Sequence, residues 1–553
     1  MTRRTPVAAV VALLAVLLGF WWTQSLPSSS PSTPVTKDRV AGKNNTILFL
    51  TTETHGTSNA HVATAFALAQ RHPGADVHYA SFPALAPRIA RVAAIAASSR
   101  PDHDISSGPL IKFHTLAGAS YRDVTVNAMQ GGSAGLVHAP GLRGAAGFCT
   151  VLSSYALDSW PDDDHVAQYH SARAAIDAVD PSLVVADMLL GPSFAALRDA
   201  RRKYVVLSPN SVSGSSPNVQ PPHAAFWKYP FLASGIAYPM KTPRQLLTNL
   251  VYTFKMIRCV IQCTGRTAQR APALQARGVE SVPDFTNSYD PAVPWIAQTV
   301  PGAHFDLLRL PDNVILAGTV NLDGVEDWVG DGAGRVSPVV EWVRRGPTML
   351  INMGSMYEFV EPQLRVMAGA IEAVLREVSD VQVLWKVKLS KNVVGPESEF
   401  YGNDAALLAS LCEGAQKDGR VKIERWLDVE PPTLLREEQL VAYVHHGGAG
   451  GYNDALGAGV PQVVLPQWAD LYDYATLVEY LGIGIWPCQD TSPYWEVGCL
   501  SSAMIELLSG RGAGEADSSG RRRRAKAAKF EEEAKKQVGR DVAAREIARL
   551  AST

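Results

Sequence analysis

Ten residues, from His445 to Asp454, hold two histidines, four glycines and a carboxylate in the order His445-His446-Gly447-Gly448-Ala449-Gly450-Gly451-Tyr452-Asn453-Asp454. An apolar run at 440–444 precedes them and reads as a strand, and a helix-compatible segment follows. A strand, a glycine turn and a helix N-terminus together present unhindered N–H groups, the arrangement that seats phosphate. Glycine permits φ > 0 and close approach of the main chain to a ligand. A histidine entering the turn adds a donor to a phosphate oxygen, and Asp454 suits ribose hydroxyls. The same glycines would also serve tight helix–sheet packing, so the continuation matters. A second apolar strand at 460–465 ends at Pro466 and brings Asp470 to the same sheet edge, where open α/β sheets bind ligands.

A second set of reactive groups lies near the other end. Residues 46–51 read as a first strand, 53–60 as a turn, and a helix begins near His61. At a helix start His61 would stay neutral and able to accept a proton; His55, in the same turn, competes for that role. The buried-type strand at 183–188 carries Asp187 at its end, placed to orient an imidazole or to cap the next helix. Two rival motifs are weaker. Residues 131–135 fit G-x-S-x-G around Ser133, the nucleophile elbow of an α/β-hydrolase, but Pro140 and several glycines follow where that elbow needs a helix. Asp102-His103-Asp104 and Asp162-Asp163-Asp164 suggest a metal-bound diphosphate, yet neither follows a convincing strand.

The elements that must position these groups come in two sets. A chain of 553 residues exceeds one core and suits two domains of roughly 200–250 residues. The alternating pattern predicts an α/β protein: strands at 46–51, 77–82 and 183–188 in the first half, and at 348–352, 381–387, 421–426 and 440–444 in the second, with a helix at 364–378. Gly/Asp-rich residues 324–335 read as the linker, giving an N-terminal domain at 44–323 and a C-terminal domain at 336–553 with a basic/acidic tail helix. Strand 348–352 runs into Met353-Gly354-Ser355, where Ser355 could donate to a phosphate. An apolar stretch at 6–22 behind Arg3-Arg4 reads as a signal anchor (residues 1–25) followed by a Ser/Pro-rich linker at 26–43, so attachment to a membrane, that of the endoplasmic reticulum, is expected. A net charge of −2 excludes a polyanion-binding surface as the main feature, so no nucleic acid partner is expected. The six cysteines form neither a disulfide framework nor a zinc pattern by spacing, and Cys259 and Cys263 share one helix face. The aromatic-rich segment 221–263, with Phe226, Trp227 and Tyr229, reads as an apolar acceptor pocket, as a surface lying against a membrane near the anchor, or as ordinary core.

His446 to Gly451, Asp454, Gly459-Val460-Pro461 and Pro466-Gln467-Trp468-Ala469-Asp470 resemble the donor-binding motif of family 1 glycosyltransferases, the UDP-sugar-dependent group. The glycine core is similar to the antibiotic and sterol glucosyltransferase branches, and the Pro466–Asp473 run to fungal members. The resemblance implies the GT-B architecture, two facing Rossmann-like domains, and an inverting transfer without metal. It implies that His446 contacts the diphosphate, Asp454 the ribose, Asp470 the sugar hydroxyls, and that Trp426 stacks on uracil. By the same likeness His61 is the base and Asp187 its orienting partner. Most members follow the acidic residue with Gln, where this chain has Leu471. The expected substrates are a UDP-sugar, glucose first, and a lipophilic acceptor such as a sterol, polyketide or phenol.

Overall fold

Near-continuous Val/Ile/Leu runs are the pattern of strands covered on both faces, and here they form two all-parallel sheets. The computed structural model describes residues 39–100, 108–127, 135–153, 160–213, 220–221, 224–282, 289–323, 336–390, 403–511 and 518–553. All elements below belong to the compact unit Ala41–Thr553. The hydrophobic N-terminal stretch and Ser133 lie outside the described residues, as do Asp102-His103-Asp104 and the linker at 324–335. Among the described residues no helix is long and apolar enough to cross a membrane.

The first lobe begins with β1 (Lys43–Leu50), α1 (His55–Arg71), β2 (Asp76–Ser81), α2 (Ala86–Ser98) and β3 (Ile111–Thr115). It continues with α3 (Gly141–Leu152), α4 (Asp162–Val179), β4 (Pro181–Ala186), α5 (Gly191–Asp199) and β5 (Tyr204–Ser208), then α6 (Ala224–Trp227), α7 (Pro243–Gln275), β6 (Trp295–Ala297) and β7 (Val314–Leu316). The strand order is β3-β2-β1-β4-β5-β6-β7. Because side chains alternate along a strand, Ile47 and Phe49 pack under α1 and α2, while Leu48 and Leu50 face α4 and α5.

The second lobe contains α8 (Pro338–Val343), β8 (Thr348–Asn352), α9 (Glu361–Glu377), β9 (Gln382–Lys386), α10 (Asn403–Ser410), α11 (Glu413–Lys417), β10 (Val421–Glu424), α12 (Pro431–Leu435) and β11 (Leu440–His445). It ends with α13 (Ala449–Gly457), β12 (Gln462–Val464), α14 (Leu471–Leu481), β13 (Gly484–Ile485), α15 (Val497–Leu508) and α16 (Ser519–Lys535). Its order is β10-β9-β8-β11-β12-β13. In each sheet the order reverses beside one strand, between β1 and β4 and between β8 and β11. At such a switch point the flanking loops splay apart and leave a crevice at the C-terminal strand ends.

Three expectations change. The final helix, α17 (Gly539–Ala551), leaves the second lobe and packs on the first, where Val542, Ala543, Ile547 and Ala551 join the core beneath α1. Its apolar residues recur at helical spacing, but nothing in that spacing names the sheet they cover. Cysteines do pair: Cys149 of α3 bonds Cys259 of α7, and Cys488 bonds Cys499. The first link joins residues 110 apart, invisible to local spacing. Finally, α1 starts at His55, not near His61, because Thr54 and Thr57 already close its first turn, with the Thr57 N–H and the Ser58 N–H donating to the Thr54 carbonyl.

Candidate active site

The two switch points open on one cleft of about 670 Å³ between the lobes. The first lobe contributes His55, Arg88 and Asp187 to its wall; the second contributes Ser355, Lys386, Trp426, His446, Gly448, Ala449, Gly450, Gly451, Asp454 and Asp470.

The histidine doublet divides by strand alternation. His445 is buried behind the turn: its Nε2 donates to Gln462 Oε1 (2.9 Å) and its Nδ1 accepts from the Gly447 N–H (3.1 Å), which fixes its neutral tautomer. His446 faces the cleft. Burial, then the charges of His445 and Lys386, push it down to about 3, so it meets a ligand as neutral imidazole. Two glycines make room for that ring. A Cβ on Gly354, whose φ is +82°, would lie 2.5 Å from His446 Cε1, and one on Gly448 would lie 2.6 Å from Nε2. Behind the ring, Gly448 caps α13, so the helix N-terminus opens toward the cleft. Asp454 is buried and accepts from Asn321 Nδ2 (2.9 Å), a contact across the lobes; burial raises it to about 7. Burial also lifts Asp470 to about 6, and Asp473, one turn on and in the same wall, is raised by burial and by Asp470's charge. Trp426, 55 % exposed, stands just past β10 with Lys386 Nζ 4.3 Å from its ring centre.

In the first lobe the expected base does not reach the cleft. His61 is fully buried under Phe49, absent from the wall, and its Nδ1 is spent on the Thr57 carbonyl at 3.0 Å. Six positions along α1, it faces the sheet. Nor does Asp187 bond either ring: its carboxylate accepts from the Leu189 N–H (3.0 Å), from Thr52 Oγ1 (3.2 Å) and from the Thr52 N–H (3.4 Å). The charge of Asp187 opposes the lowering of His61's pKa, but burial outweighs it. His55 does line the cleft, with its ring 5.7 Å from that of Trp426. Burial first, then Arg88, lowers it to about 4. Arg88 donates through Nη1 to His55 Nδ1 (3.1 Å) and Asn59 Oδ1 (2.6 Å), and through Nη2 to Glu430 Oε1 of the second lobe (3.0 Å).

The expected acceptor residues are also displaced. Phe226, Trp227 and Tyr229 are absent from the cleft wall. Tyr229 is core, its hydroxyl donating to the Asp306 carbonyl at 2.8 Å, and Trp227 is 53 % exposed on α6. The apolar wall comes instead from Phe148, Val151 and Leu152 of α3, Met188, Leu189 and Leu232. The acidic triplet at 162–164 starts α4, where Asp162 pairs with Arg270 and Asp163 with Arg277. Arg88, Asn321, Lys386 and Asp473 went unread in the sequence. Lys386 alone had a legible signal, a lysine ending a wholly buried strand.

Residues 427–531 match a family model described as the C-terminal domain of erythromycin biosynthesis protein CIII-like proteins. Glycosyltransferase sdnJ of Sordaria araneosa is 32% identical over 451 residues, covering 80% of this chain and 83% of that one. Vancomycin aglycone glucosyltransferase of Amycolatopsis orientalis is 49% identical over 70 residues, 13% of this chain and 16% of that one. Among solved structures, a UDP-glucosyltransferase from Polygonum tinctorium capable of glucosylating indoxyl superposes with a TM-score of 0.58 at 15% identity, over 92% of this chain and 99% of that one. A relative matched along four fifths of the chain, on a fold whose two switch points share one cleft, places this enzyme in family 1 of the glycosyltransferases.

Proposed function

We propose that this enzyme transfers a hexosyl group, glucose first among candidates, from a UDP-sugar to a hydroxyl of a lipophilic small molecule, with inversion at the anomeric carbon. The observation that carries this reading is the pairing of a neutral cleft-facing imidazole with a glycine-walled helix N-terminus across 670 Å³ of space. The diphosphate lies against residues 448–451 and His446, ribose on Asp454, the sugar near Asp470 and uracil on Trp426. Ser355, in the same wall, adds a donor to the phosphates.

His55 replaces His61 as the base. A guanidinium only donates, so with Arg88 on Nδ1 the ring proton sits on Nε2 and the lone pair is at Nδ1. The acceptor hydroxyl takes Arg88's place there, while Arg88 keeps Asn59 and Glu430. The acceptor's proton passes to His55, its oxygen bonds the anomeric carbon, and the carbon–oxygen bond to UDP breaks with its electron pair on the phosphate. A positioned base contributes roughly 10²–10⁴-fold, and orientation of donor and acceptor adds to it. The N–H groups at the α13 start meet the growing charge, so no metal is required of this mechanism. The apolar side of the wall, Phe148, Val151 and Leu152 of α3 with Leu232, suits a sterol, polyketide or phenol.

The test is incubation of purified protein with UDP-glucose, other UDP-sugars and a lipophilic acceptor panel, read by mass spectrometry, with and without chelator. Product that forms in chelator and disappears in His55→Ala, with UDP binding unchanged in calorimetry, is the expected result. Full activity in His55→Ala would remove the base assignment, and ester hydrolysis without nucleotide would favour chemistry at Ser133.

A further inference from the structure

Lys386 ends β9, a strand buried along its whole length, and its side chain is in the cleft wall at 6 % exposure. Burying an ammonium is costly unless an anion or several acceptors receive it. Its protein contacts are thin: Nζ donates to the Gly354 carbonyl at 2.8 Å and lies over the Trp426 ring. Among the described residues no carboxylate pairs with it. Lys388, two positions on, shows what a satisfied lysine does here, with Glu358 at 3.0 Å. The carboxylate in register with Lys386 on the neighbouring strand, Glu424, is held by Lys422 at 2.8 Å. The charge of Lys386 acts on both cleft histidines, lowering His446 from one lobe and His55 from the other. The ammonium therefore sits where the phosphate turn and the base converge, with one of its three N–H groups committed to a carbonyl.

We infer that Lys386 is a catalytic residue that binds the diphosphate of the nucleotide-sugar donor and takes up the negative charge left on the phosphate as the glycosidic carbon–oxygen bond breaks. This rests on the UDP-sugar reading of the same cleft and adds a group that reading did not contain. The geometry gives the reason: two N–H groups of Nζ remain for phosphate oxygens beside the His446 ring, and among the described residues no anion competes for them. A lysine acts there as a point charge, while the helix N-terminus supplies directed N–H groups. Its contact with Trp426 also links the phosphate to the proposed uracil platform, so one side chain spans both ends of the nucleotide site.

The experiment uses the full chain and the variants Lys386→Gln, which can still donate to Gly354, and Lys386→Arg, which keeps the charge. Calorimetry measures binding of UDP and of uridine, which has the base and ribose but no phosphate; steady-state assays separate kcat from KM. The expected result is a roughly 10- to 100-fold loss of UDP affinity in Lys386→Gln with uridine binding unchanged, a larger loss in kcat/KM than in affinity, and partial recovery in Lys386→Arg. UDP affinity and kcat of Lys386→Gln equal to wild type would overturn the proposal. Equal losses for uridine and UDP would also overturn it, since the lysine would then only shape the pocket. Wild-type protein that binds neither compound would instead remove the UDP-sugar reading beneath it.

Discussion

His55 and His61 lie on one helix and meet different surroundings, and that difference decides their chemistry. His61 is packed against Phe49 with no exposure, so His61→Ala is expected to open a core cavity and lower the melting temperature while transfer persists in the folded fraction. His55→Ala should do the reverse, leaving the melting curve near wild type and reducing kcat by roughly 10²–10⁴-fold. Lys386 gives this site a pH signature. It must be protonated to hold phosphate, and burial with Lys388 beside it lowers its pKa to about 8. Glu424 and Glu358 are paired with other lysines, and His55 and His446, at about 4 and 3, stay neutral through this range. Hence kcat/KM for the donor should fall as pH rises through about 8, and the limb should vanish in Lys386→Gln.

At the scale of elements, two turns build the donor side from opposite flanks of β8 and β11. The Gly354 turn and the Gly448 cap close on one imidazole, leaving no space for a Cβ on either. Gly354→Ala adds a methyl 2.5 Å from His446 Cε1 and forces a left-handed φ on alanine, which costs about 1–2 kcal/mol by itself. Since His446 is the part able to move, the variant should fold, turn the ring out of place and lose about 10-fold or more in UDP affinity by calorimetry. On the acceptor side α3 carries the apolar wall and is bonded to α7 through Cys149–Cys259. Phe226 of α6 packs toward α7, away from the cleft, its ring centre 6.3 Å from that of Phe254.

For the whole molecule the lobes are tied at several independent places. Arg88 joins Glu430 across the cleft, Tyr474 Oη accepts from the Ser211 N–H at 2.8 Å, and Tyr452 Oη donates to the Ala303 carbonyl at 3.0 Å. In the first turn of α17, Arg540 Nη1 donates to Asp323 Oδ1 at 2.8 Å and fastens the returning helix to the first lobe. That helix makes the last residues of the chain part of the first lobe's core. Ile547→Ala should therefore lower stability by about 2–4 kcal/mol in denaturant titration. Hydrogen exchange should rise first in β1, β4 and α1 of the first lobe, although the change is near the C-terminus. A rise confined to the second lobe would contradict this packing.

Local periodicity marked this as an α/β chain, since runs such as 348–352 and 440–444 are buried strands with a nearly continuous apolar record, while the two parallel sheets were implied by the resemblance and are seen in the strand order. The glycine turn, Asp454, Asp470, Ser355 and Trp426 were legible because they follow strand ends within a few residues, and strand ends are where such sheets converge. Side-chain direction was not legible. His55 and His61 are six positions apart on one helix, and only the packing of α1 on β1 shows which one faces the cleft. Lys386 was written at a strand end, but that no carboxylate among the described residues pairs with it depends on Glu358 and Glu424 choosing other partners. Arg88 with Glu430, Cys149 with Cys259, and α17 with the first sheet join residues far apart in sequence, where no local spacing carries the information. The sequence by itself determined the strands and the turns that end them; the tertiary structure alone decided which side chains share the cleft, because that depends on how two sheets and their helices pack.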